Sequence, residues 1–106
     1  MVDKEREIMF KIMKIKEKQP ECEMFGGWMW YFDKDNIPKF DSNRSGKWMI
    51  FNKDIEFLNR LCSEAVKQGI VWEAKVSCIP KDDTHVSCFY LHVDDNERHR
   101  RIIQFF

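Results

Sequence analysis

The residues with the most chemical potential are aromatic and basic. Trp28, Trp30 and Tyr31 fall in one short run, Trp28-Met29-Trp30-Tyr31-Phe32, and Trp48 follows Lys47 in a second apolar run. Flat rings offer surfaces on which a nucleobase stacks, worth ~1–3 kcal/mol per base, and ammonium groups balance phosphate. Lys47 adjoins Trp48, and Lys75 lies between Ala74 and Val76. Strand alternation turns both lysines to the face opposite those apolar neighbours, with Ser77 beside Lys75. Two lysines, a hydroxyl and neighbouring rings suit a nucleotide or other phosphorylated ligand. The competing account is that strand aromatics fill a core and strand lysines point into water.

A second cluster is Glu97-Arg98-His99-Arg100-Arg101. Guanidinium groups clamp phosphate or carboxylate bidentately. Arg98 and Arg101 are three apart and share a helix face, although nearby Asp94, Asp95 and Glu97 can pair with them. His85, His92 and His99 lack a metal-ligand spacing such as H-E-x-x-H, and only His92 with Asp94 and Asp95 resembles a cation site. Cys22, Cys62, Cys78 and Cys88 form no C-x-x-C pair, which argues against structural zinc. No nucleophile elbow, P-loop or dinucleotide fingerprint occurs, and Gly26-Gly27 is too short for a phosphate loop. Asp33, Asp35 and Asp41 could act as acid and base, but loop polarity explains them equally well. The sequence therefore leans away from catalysis, and no catalytic residue, metal ligand or cofactor is assigned.

Elements must position these groups. Asp3 to Lys18 has helical spacing, with Ile8, Met9, Ile12, Met13 and Ile15 on one face and Phe10 opposite, and Gln19-Pro20 ends it. The aromatic run 28–32 reads as a strand. Asp33 to Gly46 reads as a long polar loop, of the sort that often lines a site. Lys47 to Phe51 is a second strand, followed by a helix capped by Asn52, with Asp54 in its first turn. Ile55, Leu58, Leu61, Cys62, Ala65 and Val66 form that helix's apolar stripe, and Gly69 stops it. Val71 to Cys78 and His85 to Val93 are strands joined by the turn at Pro80 to Thr84, which sets Cys88 near Lys75 and Cys78 near His85. The sulfurs are then too far apart to bond. A last helix starts near Asp94-Asp95-Asn96 and ends in Ile102-Ile103-Gln104-Phe105-Phe106. The order implies one α+β domain spanning residues 1–106: an antiparallel sheet of about four strands with helices on one face and the other uncovered.

Composition bounds the partners. The 106 residues allow one core, and with 43% hydrophobic and 34% charged residues the chain folds rather than staying disordered. A formal net charge of +0 gives no global attraction to duplex DNA or to an anionic membrane. No apolar run approaches the roughly 20 residues that span a bilayer, and the charged N-terminus does not read as a secretory signal. Free thiols fit a reducing compartment, so a cytoplasmic location is expected.

The segments Phe25-Gly26-Gly27-Trp28-Met29-Trp30, Ser45-Gly46-Lys47-Trp48-Met49-Ile50-Phe51 and Ala74-Lys75-Val76-Ser77 together resemble the basophilic-leukaemia-expressed protein family, which includes bacterial domains of unknown function. The resemblance covers roughly residues 25 to 103 and implies the fold of the messenger-RNA cap-binding initiation factors. Those factors hold a methylated guanine between two tryptophans, beside a glutamate. The second Trp-Glu of that arrangement has no counterpart here, because the loop after Phe32 contains no tryptophan. Some family members carry a phosphothreonine-lyase label, for which no matching Lys/His/Arg constellation stands out.

The expectation is thus a small binding module holding a nucleotide or phosphorylated ligand on the uncovered face, through Trp28, Trp30, Tyr31, Lys47, Lys75 and Ser77, with Arg98 and Arg101 as a further anion clamp. Small size, balanced charge and apolar ends suit an alternative. This is a protein-interaction or inhibitor module, such as a phage or mobile-element antagonist of a host enzyme, meeting a partner or a second copy through Phe10, Phe105 and Phe106.

Overall fold

The computed structural model describes residues 19–106. The helix expected at residues 3–18, and Phe10 with it, lie outside the described residues. From Glu21 onward the chain forms β1 (Glu21–Phe25), β2 (Trp28–Phe32), β3 (Ser45–Asn52), α1 (Ile55–Lys67), β4 (Glu73–Ser77), β5 (His85–His92) and α2 (Asn96–Phe105). The sheet has five strands in the order β1-β2-β4-β5-β3, every neighbouring pair antiparallel. The α+β class and the antiparallel sheet with helices against it are as expected.

The additional strand is β1. Gly26 and Gly27 take φ values of 60° and 80°, a two-residue hairpin geometry that glycine adopts without steric cost. That turn folds Glu21–Phe25 back onto the aromatic strand, pairing Phe25 with Trp28 and Glu23 with Trp30. A second tight turn joins β4 to β5: Lys81 and Thr84 exchange backbone hydrogen bonds while Asp82 and Asp83 hold φ values of 51° and 66°. The β4–β5 register sets Lys75 opposite Cys88, as the turn position implied. The cysteines are free.

The core sits on one side of the sheet. Leu58, Cys62, Ala65 and Val66 of α1 pack on Ala74, Val76, Phe89 and Leu91, and Ile102 of α2 joins them. The caps differ in detail from the expectation. Asp54, not Asn52, caps α1 by accepting the Phe57 N–H at 3.1 Å, while Asn52 accepts the Asp54 N–H at 2.8 Å. Gly69, at φ 70°, ends α1, with the Gly69 and Ile70 N–H groups bonded to Val66 and Ala65. Asp95 caps α2 through the Arg98 N–H. The connection after β2 holds two short 3-10 turns, Ile37–Lys39 and Ser42–Arg44, and β3 begins at Ser45, inside the stretch expected as loop. Phe105 packs against the core, and the Phe106 ring meets Phe89 at 5.1 Å, so the apolar C-terminus docks on its own domain. Among the described residues no helix is long and apolar enough to cross a membrane.

Candidate functional site

Strand register decides which side chains share the face opposite the core. Lys75 is directly opposite both Trp30 and Cys88, Tyr90 is opposite both Glu73 and Lys47, and Trp28 is opposite Ser77. Residues facing one another across an antiparallel pair lie on one side, as do residues two apart along a strand. Trp28, Trp30, Lys47, Glu73, Lys75, Ser77 and Tyr90 therefore all belong to one side. Phe89, Trp48, Ala74 and Val76 belong to the other, beneath α1 and α2. Lys47 and Lys75 thus share the face opposite α1 and α2.

The centre of that face is an ammonium group on three rings. Lys75 Nζ lies 3.9 Å from the Trp28 ring centroid, 4.7 Å from Trp30 and 5.8 Å from Tyr90. Trp30 and Tyr90 are nearly parallel, with centroids 6.3 Å apart and planes 14° from one another. The rings' negative faces hold the cation, an attraction worth ~0.5–1 kcal/mol at an exposed site and about 2 when desolvated. Lys47 is exposed. Both lysines act on Cys88, whose thiol burial pushes up while their positive charges pull it back. The Trp30 indole N–H is buried without a hydrogen-bond partner.

Two shallow depressions flank this cluster. One, about 470 Å³, is lined by Glu23, Phe25, Trp30, Phe32, Ile37 and Glu73. The other, about 450 Å³, involves Trp28, Phe51, Ser77, Ile79 and Lys81. Burial raises the Glu73 carboxyl above its ordinary range, and the nearby Lys75 charge partly offsets this.

Four expected site residues come together: Trp28, Trp30, Lys75 and, one register step away, Lys47. Ser77 shares their face, but it is buried and its Oγ accepts the Val86 N–H at 2.9 Å, so its oxygen serves the strand pair. Tyr31 does not join them. Alternation turns it toward α1, where its hydroxyl donates to Asn59 Oδ1 at 2.8 Å, and burial raises its pKa to about 12. Trp48 likewise faces the helices, its indole N–H donating to His99 Nδ1 at 2.9 Å.

Arg98 and Arg101 do not join this cluster. Arg98 donates to the Gly69 and Ile70 carbonyls at 2.6 and 3.1 Å, pairs with Asp95 and lies 4.7 Å over the Trp72 ring. Arg101 donates to Gln68 O at 3.1 Å. The two guanidinium groups satisfy the chain just past α1, where carbonyls carry the negative end of the helix dipole.

All three histidines are held in hydrogen bonds to the fold. His92 Nε2 accepts the Asp41 N–H, His85 Nδ1 donates to Ser77 O, and His99 Nε2 donates to His92 O. The described residues contain no cluster of three His, Cys, Asp or Glu side chains able to hold a metal.

Sequence reasoning missed Tyr90, Glu23 and Phe25. Tyr90 was recoverable: with Cys88 set opposite Lys75, the residue two further along faces the same way. Glu23 and Phe25 required β1, whose signal was a pair of glycines between two residue runs.

The fold and the site define an α+β domain with an open antiparallel sheet, one face packed on helices and the other bearing an aromatic–lysine cluster. No family model, curated protein or solved structure matches the chain.

Proposed function

We propose that the chain is a binding module that holds a nucleotide, or another phosphorylated ligand with a flat ring, on the sheet face opposite α1 and α2. The observation that carries this reading is the Lys75 ammonium seated on the Trp28 and Trp30 rings. A phosphate competes for that ammonium and draws it off the rings. The freed ring faces then accept the ligand's base. The exchange gives up a cation–π contact worth ~0.5–2 kcal/mol and gains stacking of ~1–3 kcal/mol together with a charge-assisted phosphate contact. Lys47, one strand beyond Tyr90, extends the positive charge toward a second phosphate. The fold of the cap-binding initiation factors, implied by the family resemblance of the tryptophan-bearing segments, also fits a flat-ring ligand.

Intrinsic fluorescence titrated with a panel of nucleoside mono-, di- and triphosphates tests this. The reading expects saturable quenching, weakened at least tenfold in Lys75→Ala and less in Lys47→Ala. A flat response across the panel, or full-strength quenching in Lys75→Ala, contradicts it.

One observation favours a second reading, a protein-binding face. Phe25, Phe51 and Ile79 are 73%, 61% and 75% exposed beside the same cluster, an apolar rim larger than a small polar ligand needs. Under that reading the wild type shows no saturable nucleotide quenching, and Phe25→Asp together with Phe51→Asp abolishes capture of the protein partner.

A further inference from the structure

Four sulfur atoms gather on the other side of the β1–β2 hairpin. Met24 is directly opposite Met29, and Met29 is opposite Val76. Cys22 precedes Met24 by two residues and Cys78 follows Val76 by two, so all four sulfur side chains project from the side on which α1 packs. They contact one another in pairs. The Cys22 thiol donates to Met29 Sδ at 3.1 Å, and the Cys78 thiol donates to Met24 Sδ at 3.3 Å.

We propose that this patch binds a soft univalent metal ion, Cu(I), through the Cys22–Met29 and Cys78–Met24 thiol–thioether pairs. Thiolate and thioether donors together select Cu(I), whereas hard cations need oxygen and zinc takes thiolate, imidazole or carboxylate. No imidazole or carboxylate takes part in either sulfur contact. Each thiol gives up its proton as its S–Cu bond forms, and the ion keeps its oxidation state throughout.

Access and adaptability both suit the role. Cys22 is exposed and Met24 is 56% exposed, so an ion reaches the sulfurs from solvent. Methionine's unbranched chain swings its sulfur at little cost, so the paired contacts can open to admit the ion. The direct Met24–Met29 pairing places the two thiol–thioether sets side by side. The remaining thiols compete poorly: Cys62 and Cys88 are buried, and desolvation raises both thiols above their ordinary range.

The test is competition for Cu(I) against the chromophoric chelator bicinchoninate, with ascorbate present and the full chain folded by circular dichroism. The wild type withdraws copper from the chelator. Met24→Leu combined with Met29→Leu keeps every thiol and weakens that affinity at least tenfold, Cys22→Ser with Cys78→Ser abolishes withdrawal, and X-ray absorption of the loaded protein shows a sulfur-only shell. Lys75→Ala withdraws copper like the wild type, which separates this site from the nucleotide-binding reading. Copper left on the chelator by the wild type overturns the proposal. So does undiminished withdrawal by the double leucine variant, or a shell containing nitrogen or oxygen.

Discussion

Lys75 and Glu73 stand two residues apart on one strand of the open face, and burial treats their charges differently. The Lys75 ammonium is compensated by ring faces at 3.9 and 4.7 Å. Glu73 has its carboxyl raised by desolvation, against which the Lys75 charge works only in part. A raised carboxyl pKa means the folded state holds the proton more tightly than the unfolded chain. Below the unfolded-state value both states are protonated and Glu73 costs nothing. As pH rises through the unfolded and then the folded value, the folded state takes on a poorly solvated charge and loses stability. Glu73→Gln is therefore expected to raise Tm at neutral pH and to leave it unchanged near pH 3, as followed by thermal melts across that range. An equal gain at both pH values would assign the effect to packing instead.

Residue-scale chemistry was legible wherever alternation alone decides direction. Lys47 and Lys75 were placed on one face because each adjoins a core residue on its own strand. Tyr31 was grouped with Trp28 and Trp30 although it adjoins Trp30 on one strand, where alternation turns neighbours to opposite faces. The register sets Tyr31 opposite Ala74 on the core side, and its hydroxyl reaches Asn59 of α1.

At the scale of elements, turns and helix ends decide the register that brings the cluster together. The 81–84 turn holds Asp82 and Asp83 at positive φ, where a side-chain-bearing residue is strained and aspartate is among the better tolerated. Asp83→Gly is expected to stabilise the protein by about 0.5 kcal/mol, and Asp83→Val to destabilise it by about 1 kcal/mol, in urea unfolding. The reverse order would mean that this turn is not what sets the register.

Past the far end of α1, Arg98 donates to the Gly69 and Ile70 carbonyls, with Arg101 a longer second donor to Gly69 O at 3.5 Å. Charge-assisted hydrogen bonds contribute ~1.5–3 kcal/mol, so Arg98→Ala is expected to cost about 2 kcal/mol, a fall in Tm of roughly 10 °C. Arg98→Lys does not restore it, because one ammonium cannot reproduce the forked geometry. Nucleotide affinity of the folded variant is expected to stay unchanged. The backbone acceptors of Arg98 and Arg101 near residue 69 were not legible, because main-chain acceptors distant in sequence leave no trace in residue types. The strand β1 was hidden for a related reason: its residues, Glu-Cys-Glu-Met-Phe, are all exposed, so no buried stripe announces them.

For the molecule as a whole, the central fact is asymmetry. One sheet face carries α1, α2 and the core. The other carries rings, two lysines and exposed apolar side chains, with neither α1 nor α2 over them. Sheet class and helix side followed from strand alternation and short connections. The strand order did not, since β3 pairs with β5 rather than with β2, its neighbour in the chain, and that choice rests on long-range packing.

The most direct test of a ligand on the open face is a nuclear magnetic resonance titration that follows the four tryptophan indole N–H signals as nucleoside phosphates are added. Trp28 and Trp30 lie on the open face, Trp48 bonds to His99, and Trp72 lies under Arg98. The account predicts saturable shifts of the Trp28 and Trp30 signals with Trp48 and Trp72 unmoved. No movement of Trp28 and Trp30 across the nucleotide panel, or shifts confined to Trp48 and Trp72, would contradict it.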